Sequence, residues 1–219
     1  MARGRPPVPD PKDLSPLTER WEAGRPIVHI YHRRWGPQGF NPTDAPGRFR
    51  PIRTRSGKII PTAYGASDEE TALAEGLLRG VEALEKGHRR RLYRKEVEGL
   101  SMVTLVPKVD LVLAKLHGPG LVRLEVTRPQ LIDCRAAHYP YTAEWAQALY
   151  LCKIKLFGIV WTARQNDSGR ALVLWKGLVR PKSHLRTAEP PTPLDKGKGL
   201  DLVRQACAYA NIDFDDKGP

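Results

Sequence analysis

Within the fifteen residues YGASDEETALAEGLL, from Tyr64 to Leu78, four acids fall on one expected helix. Three have a structural reason to be there. Ser67 and Glu70 have the spacing of a capping box, in which the hydroxyl caps the first turn and the carboxylate reaches back. Asp68 and Glu69 lie in a first turn whose dipole favours anions. Glu75 has no such reason: it stands between Ala74 and Gly76 and is either a solvated surface charge or the acid of an active site. At about 100° per residue, Leu73, Leu77, Val81 and Leu84 share a face, and Glu75 falls nearly opposite, near Thr71, Arg79 and Glu82. Periodicity alone therefore reads Glu75 as solvated. The small side chains of Ala72 and Ala74, which would let another element come close, are the contrary sign.

Other chemistry-bearing residues are sparse. Cys134, Cys152 and Cys207 are odd in number and far apart, with no CxxC pair and no histidine at ligand spacing. They are expected to be reduced and mostly buried, with no disulfide framework, no zinc site and no metal implied. The net charge of +12 implies attraction to something anionic: nucleic acid, a phosphorylated small molecule or an acidic protein. The densest basic run, KGHRRRLYRK at 86–95, suits either a nucleic-acid surface, with Leu92 and Tyr93 interleaved, or the solvated end of a helix. No helix-turn-helix, zinc-finger or RNP-like signature accompanies it. No apolar run approaches the ~18 residues of a membrane span. The segment MARGRPPVPDPKD is basic and proline-rich and lacks the apolar core of a secretory signal, so a cytoplasmic location is the default expectation.

The elements that must position these residues read as follows. The 219 residues suffice for one substantial core. Residues 1–24 are proline-rich with little periodicity and read as an irregular, loosely packed lead-in. A strand is expected over 26–31. The Gly/Pro-rich stretch 39–57 reads as a long loop, a length at which loops are often functional. Residues 58–66 are strand-like, with Pro61 marking an edge or a bend, and a helix follows over 68–86. Two short strands are expected in 101–116 and a third in 121–127. A helix over 142–155 precedes a strand pair, 157–165 and 171–179, joined by the turn NDSG. Residues 186–198 read as a second irregular stretch and 199–212 as a closing helix. Helices and strands interleave unevenly, which points to a single α+β domain with a mixed sheet rather than a doubly wound one. The expected division is a lead-in over 1–24, a catalytic domain over 25–185, and a linker with a C-terminal helix over 186–219 packed on the same domain.

The order of short motifs adds a resemblance. GFNP, then GRFRPI, then TAYGASDEETALAE, and much later FGIVWTARQNDSGRALVLW, followed by the closing helix with ANI, resembles the RES domain family over roughly residues 26–179. That family is named for an Arg, a Glu and a Ser, and its members are usually toxins of bacterial toxin–antitoxin pairs. The resemblance implies a core similar to ADP-ribosyltransferases and action on NAD. The action it implies is cleavage of the nicotinamide–ribose bond, with ADP-ribose passing to water or phosphate, or alternatively to a protein acceptor. It also implies an Xre-type antitoxin as partner, and it leaves a homo-oligomer open.

Carried over motif by motif, Arg48 matches the family arginine, Tyr64 the aromatic ahead of the helix and Glu75 the family glutamate. Thr162 stands where the family usually has Ser, with Arg164 following it. The expected roles are phosphate contacts from Arg48, stacking on nicotinamide by Tyr64, and a hydrogen bond from Thr162 to the carboxamide or ribose, while Arg164 either adds a phosphate contact or is solvated. Glu75 would stabilise charge on the ribose. The family often carries a further Arg in its first strand; here the nearest positions are His29 and His32, and His29 either replaces it or is a satisfied strand histidine. A fold that keeps partner binding without catalysis, and a nucleic-acid-binding protein, are the alternative readings.

Overall fold

The apolar β-favouring runs pair as strands wherever a partner strand can satisfy their backbone groups. The computed structural model describes residues 6–78 and 90–217. Its strands are β1 (Thr18–Trp21), β2 (Ile27–His32), β3 (Ile52–Arg53), β4 (Ile59–Ile60), β5 (Thr62–Ala66), β6 (Arg91–Tyr93), β7 (Leu100–Pro107), β8 (Leu111–Lys115), β9 (Gly158–Thr162), β10 (Arg170–Trp175), β11 (Leu185–Thr187), β12 (Thr192–Pro193) and β13 (Asp213–Asp215). The helices are α1 (Glu69–Gly76), α2 (Pro119–Arg123), α3 (Arg128–Leu131), α4 (Tyr139–Leu151), α5 (Pro181–His184) and α6 (Gly197–Tyr209).

Among the described residues, one large sheet runs β1-β8-β9-β10-β5-β2-β7-β11, with β12 also on β7. β8 and β9 pair in parallel and their neighbours pair antiparallel, so the sheet is mixed and the domain α+β. Both faces are covered. Ile159, Trp161, Val173 and Trp175 point to a core shared with Trp145 and Leu149 of α4. Val160, Leu172 and Leu174 point the other way, toward Trp21, Leu105 and Leu113. Burial on both faces gives β9 and β10 their continuous apolar runs. A third cluster joins Val28 and Met102 to Leu73 of α1 and Val203 of α6.

Several expectations need correction. The irregular lead-in contains β1, which pairs with β8 and buries Trp21 completely. Residues 121–127 are not a strand. Gly118, at φ 50°, turns the chain into Pro119, whose fixed φ suits the first helical position, and α2 follows. Leu121 and Leu124 are buried one helical turn apart, a spacing that the apolar run also allowed. The second irregular stretch holds β11 and β12, both added antiparallel to β7; Pro193 is tolerated there because β12 is peripheral. Pro61 separates β4 from β5, as its missing N–H predicts. The helix expected over 68–86 is described only as α1; residues 79–89 of that span and of the basic run lie outside the described residues.

The cap of α1 also differs from the expected box. Asp68 is the N-cap residue: its Oδ1 accepts from the Thr71 amide at 2.7 Å. Ser67 donates to Asp68 and accepts from the Arg170 amide at 2.9 Å, tying the start of α1 to β10. The helix packs against β2, β5, β10 and α6.

Candidate active site

Glu75 is buried, not solvated, and this overturns the reading from periodicity. The flank of α1 opposite Leu73 is covered by the loop that follows β9. Gly169 permits this docking, since a Cβ there would stand 2.0 Å from Thr71 Oγ1. Asn166 Nδ2 donates to the same Thr71 hydroxyl at 3.0 Å. The docked loop presents two consecutive amides to one carboxylate oxygen: Glu75 Oε1 accepts from Arg164 N at 2.6 Å and Gln165 N at 2.9 Å. On the other side of the carboxylate, Arg48 Nη1 lies 3.5 Å from Oε2. A buried carboxylate without such partners would cost several kcal/mol. Oε1 is therefore saturated, and Oε2, with one long contact, keeps acceptor capacity.

Arg48 is fully buried. It lies in a turn closed by the Gly47–Arg50 bridge, with N to O distances of 3.2 and 3.1 Å. The next residue, Phe49, takes a left-handed φ of 64°, donates its amide to Thr142 Oγ1 at 3.2 Å, and sets its ring 5.1 Å from that of Trp161. A non-glycine residue at such a φ persists only where its surroundings over-determine it; here the ring is locked in the core. Arg48 Nε and Nη2 are buried without a hydrogen-bond partner among the described residues. Its backbone carbonyl accepts the Tyr64 hydroxyl.

A cavity of about 380 Å³ opens in front of these groups. Glu75, Tyr64 and His29 lie on its wall, together with His32, Trp35 and Arg50. His29 Nδ1 lies 2.5 Å from the Tyr64 carbonyl oxygen, which can only accept, so Nδ1 carries the hydrogen. Burial pushes the His29 pKa below its ordinary value, against the raising effect of its backbone hydrogen bonds, and the ring is neutral at pH 7. It thus brings no cation to the wall.

The structure distributes the sequence-derived candidates unevenly. Glu75, Tyr64 and His29 share the cavity wall; Arg48 lies behind it in contact with Glu75. Arg164 joins through its main-chain amide, with its side chain exposed. Thr162 ends β9 opposite Arg170 and is not on the cavity wall. Arg50, Trp35 and Gln165 were not singled out from sequence. Arg50 sits two residues beyond Arg48 in the same GRFR motif, and this doubled arginine was the available signal. No cluster of metal-ligating side chains occurs among the described residues, and no described helix is long and apolar enough to cross a membrane.

No curated protein sequence matches the chain. Among solved structures, a chain from the crystal structure of the M. tuberculosis MbcT–MbcA toxin–antitoxin complex superimposes with a TM-score of 0.59 at 14% sequence identity, covering 85% of this chain and 91% of that one. At this identity the likeness is one of fold. The match to the RES domain extends over residues 20–195, most of the chain, and this protein belongs to the RES domain family.

Proposed function

We propose that this RES protein is the toxin of a toxin–antitoxin pair and consumes NAD by cleaving its nicotinamide–ribose bond. The observation that carries the reading is the Glu75 carboxylate: buried, oriented by two amides and Arg48, and placed on a cavity wall with an unsaturated Oε2. When the glycosidic bond breaks, its electron pair goes to the pyridinium nitrogen and nicotinamide leaves neutral. Positive charge develops on the ribose, as in glycoside hydrolysis. Oε2 of Glu75 holds a ribose hydroxyl and stabilises that charge without reorganising, because its partners are already fixed. Tyr64 packs against the nicotinamide ring, its hydroxyl tied to the Arg48 carbonyl. An acceptor oxygen then bonds to the ribose carbon and loses its proton to solvent. Water and phosphate are the proposed acceptors, and a protein side chain is the alternative.

Arg48 acts here by positioning Glu75, since its guanidinium is buried behind the wall. Membership of the RES family and the fold shared with a chain of a toxin–antitoxin complex support the toxin assignment. We place an Xre-type antitoxin opposite the cleft, acting in the cytoplasm. The neutral His29 supports a second reading, in which the fold binds a partner without catalysis.

One experiment separates these readings. NAD loss and nicotinamide release are followed with the purified chain, with and without phosphate, beside Glu75→Gln. Turnover that depends on Glu75 supports cleavage, and dependence on phosphate names the acceptor. Intact NAD under every condition overturns it; a labelled protein after incubation with labelled NAD then identifies the transfer reaction, and no label leaves the binding fold.

A further inference from the structure

Two arginines flank Phe49, and they face different surroundings. Arg48 is sealed behind Glu75, whereas Arg50 is half-buried on the wall of the Glu75 cavity. Arg50 also lines a second groove, formed by Val8, Pro9 and Pro11 against Ala143 of α4, and Pro46 is common to both. Arg50 therefore stands at the junction of two concavities.

Several other arginines on the molecule are engaged. Arg33 grips Asp195, Arg53 grips Asp44, and Arg128 bridges Asp133 and Asp167. Among the described residues, no carboxylate pairs with Arg50 and no acceptor takes its side-chain N–H groups. A slot in the backbone is shaped for it. The side chain folds back across Gly47, where a Cβ would lie 2.7 Å from Arg50 Nε and 3.1 Å from Cγ. Any other residue at 47 would push the guanidinium aside. A half-buried, unpaired guanidinium in a glycine slot, with five donors in a planar fork, matches the oxygens of a phosphate group.

We propose that Arg50 forms a subsite for the diphosphate of a nucleotide, which on the NAD reading above is the pyrophosphate of the substrate. This moves the phosphate contact two residues along the chain from Arg48. It also supplies the cation that the neutral His29 does not.

The test is equilibrium binding of inorganic pyrophosphate and of ADP-ribose to the full chain and to Arg50→Ala, Arg50→Lys, Gly47→Ala and Arg53→Ala. Arg53 lies three residues away and removes the same charge from a guanidinium that is already paired. We expect Arg50→Ala to weaken both ligands by about tenfold or more, Arg50→Lys to restore part of that, and Gly47→Ala to weaken both while the fold is kept. Arg53→Ala should remain within about twofold of the wild type. Equal losses at 50 and 53 would reduce the effect to general charge attraction and overturn the subsite, as would a wild-type chain that binds neither ligand. NAD consumption in the same samples keeps the two proposals apart. A chain that holds ADP-ribose through Arg50 yet leaves NAD intact loses the cleavage reading and keeps the subsite. A chain whose Arg50→Ala form consumes NAD with an unchanged KM loses the subsite and keeps cleavage.

Discussion

The two flanks of α1 are buried to a similar degree by different means. Leu73 faces an apolar cluster with Val28 and Val203, a burial that its helical spacing announces. Glu75 and Thr71, on the opposite flank, are buried by a loop some ninety residues later in the chain, through hydrogen bonds. An apolar face carries its own signature because the hydrophobic effect acts on its side chains directly. A flank buried by hydrogen bonds carries none, since the same polar residues would suit open water. The difference also separates roles: the apolar flank fixes where the helix sits, and the polar flank fixes where its carboxylate points.

The polar flank should therefore dominate activity. Glu75→Gln keeps the shape and an acceptor for the two amides but removes the charge. NAD turnover should fall on the order of 10²-fold or more, with a melting curve that stays cooperative. If nicotinamide release is unaffected by this change, the carboxylate has only a structural part and the contrast between the flanks loses its meaning.

Arg48 tests the same flank through stability. Arg48→Met leaves the Glu75 carboxylate buried with only its two amides, and losing one partner of a buried pair costs roughly 3–5 kcal/mol. In the double variant Arg48→Met with Glu75→Gln, the uncompensated charge is gone, so chemical denaturation should show much of that loss recovered. Additive losses would mean that the 3.5 Å contact carries no coupling.

The docking of the loop comes next in size. Gly169→Ala forces a Cβ against the Thr71 hydroxyl, 2.0 Å away, and should cost about 1–3 kcal/mol while lowering turnover. Thr71→Ala in the same chain clears the hydroxyl and should return part of both. If turnover survives Gly169→Ala with stability alone reduced, the two amides are not what aligns Glu75.

The strand pair of β9 and β10 could be read from local signals alone: two β-favouring runs and a turn of NDSG. The bend at Pro61 and the closing helix α6 are of the same kind. What escaped was set by distant partners. β1, β11 and β12 are short segments with weak patterns of their own, and they are strands because the edges of β8 and β7 offer them unpaired backbone groups. At the site, the order of motifs singled out Glu75 and Tyr64, and the cavity wall carries both. The same motifs singled out Arg48 and gave no sign that it lies behind that wall while Arg50 lies on it. That distinction depends on the left-handed backbone of Phe49 and the burial of its ring, which no spacing of charged residues encodes.

The smallest expected effect concerns the tie between the neighbouring strands β2 and β5 on the cavity wall, His29 against the Tyr64 carbonyl. The pKa of His29 is depressed in the folded state, chiefly by burial, so below about pH 6.5 the unfolded chain takes up a proton that the folded chain refuses. Stability must then fall as pH falls from 6.5 toward the folded pKa, and level off above 6.5. His117 and His184 are also depressed, chiefly by burial, with Glu19 opposing the shift at His117, and they contribute slopes of the same sign. His29→Gln can still donate toward the Tyr64 carbonyl but cannot titrate. Its stability between pH 7.5 and 5.5 should decline less steeply than that of the wild type, by less than about 1.4 kcal/mol per pH unit. Parallel curves for the two chains would mean that His29 gains its proton in the fold as readily as in water. The cavity wall would then hold an imidazolium near Glu75 at mildly acid pH, and the case for Arg50 as the cation of that wall would lose one of its supports.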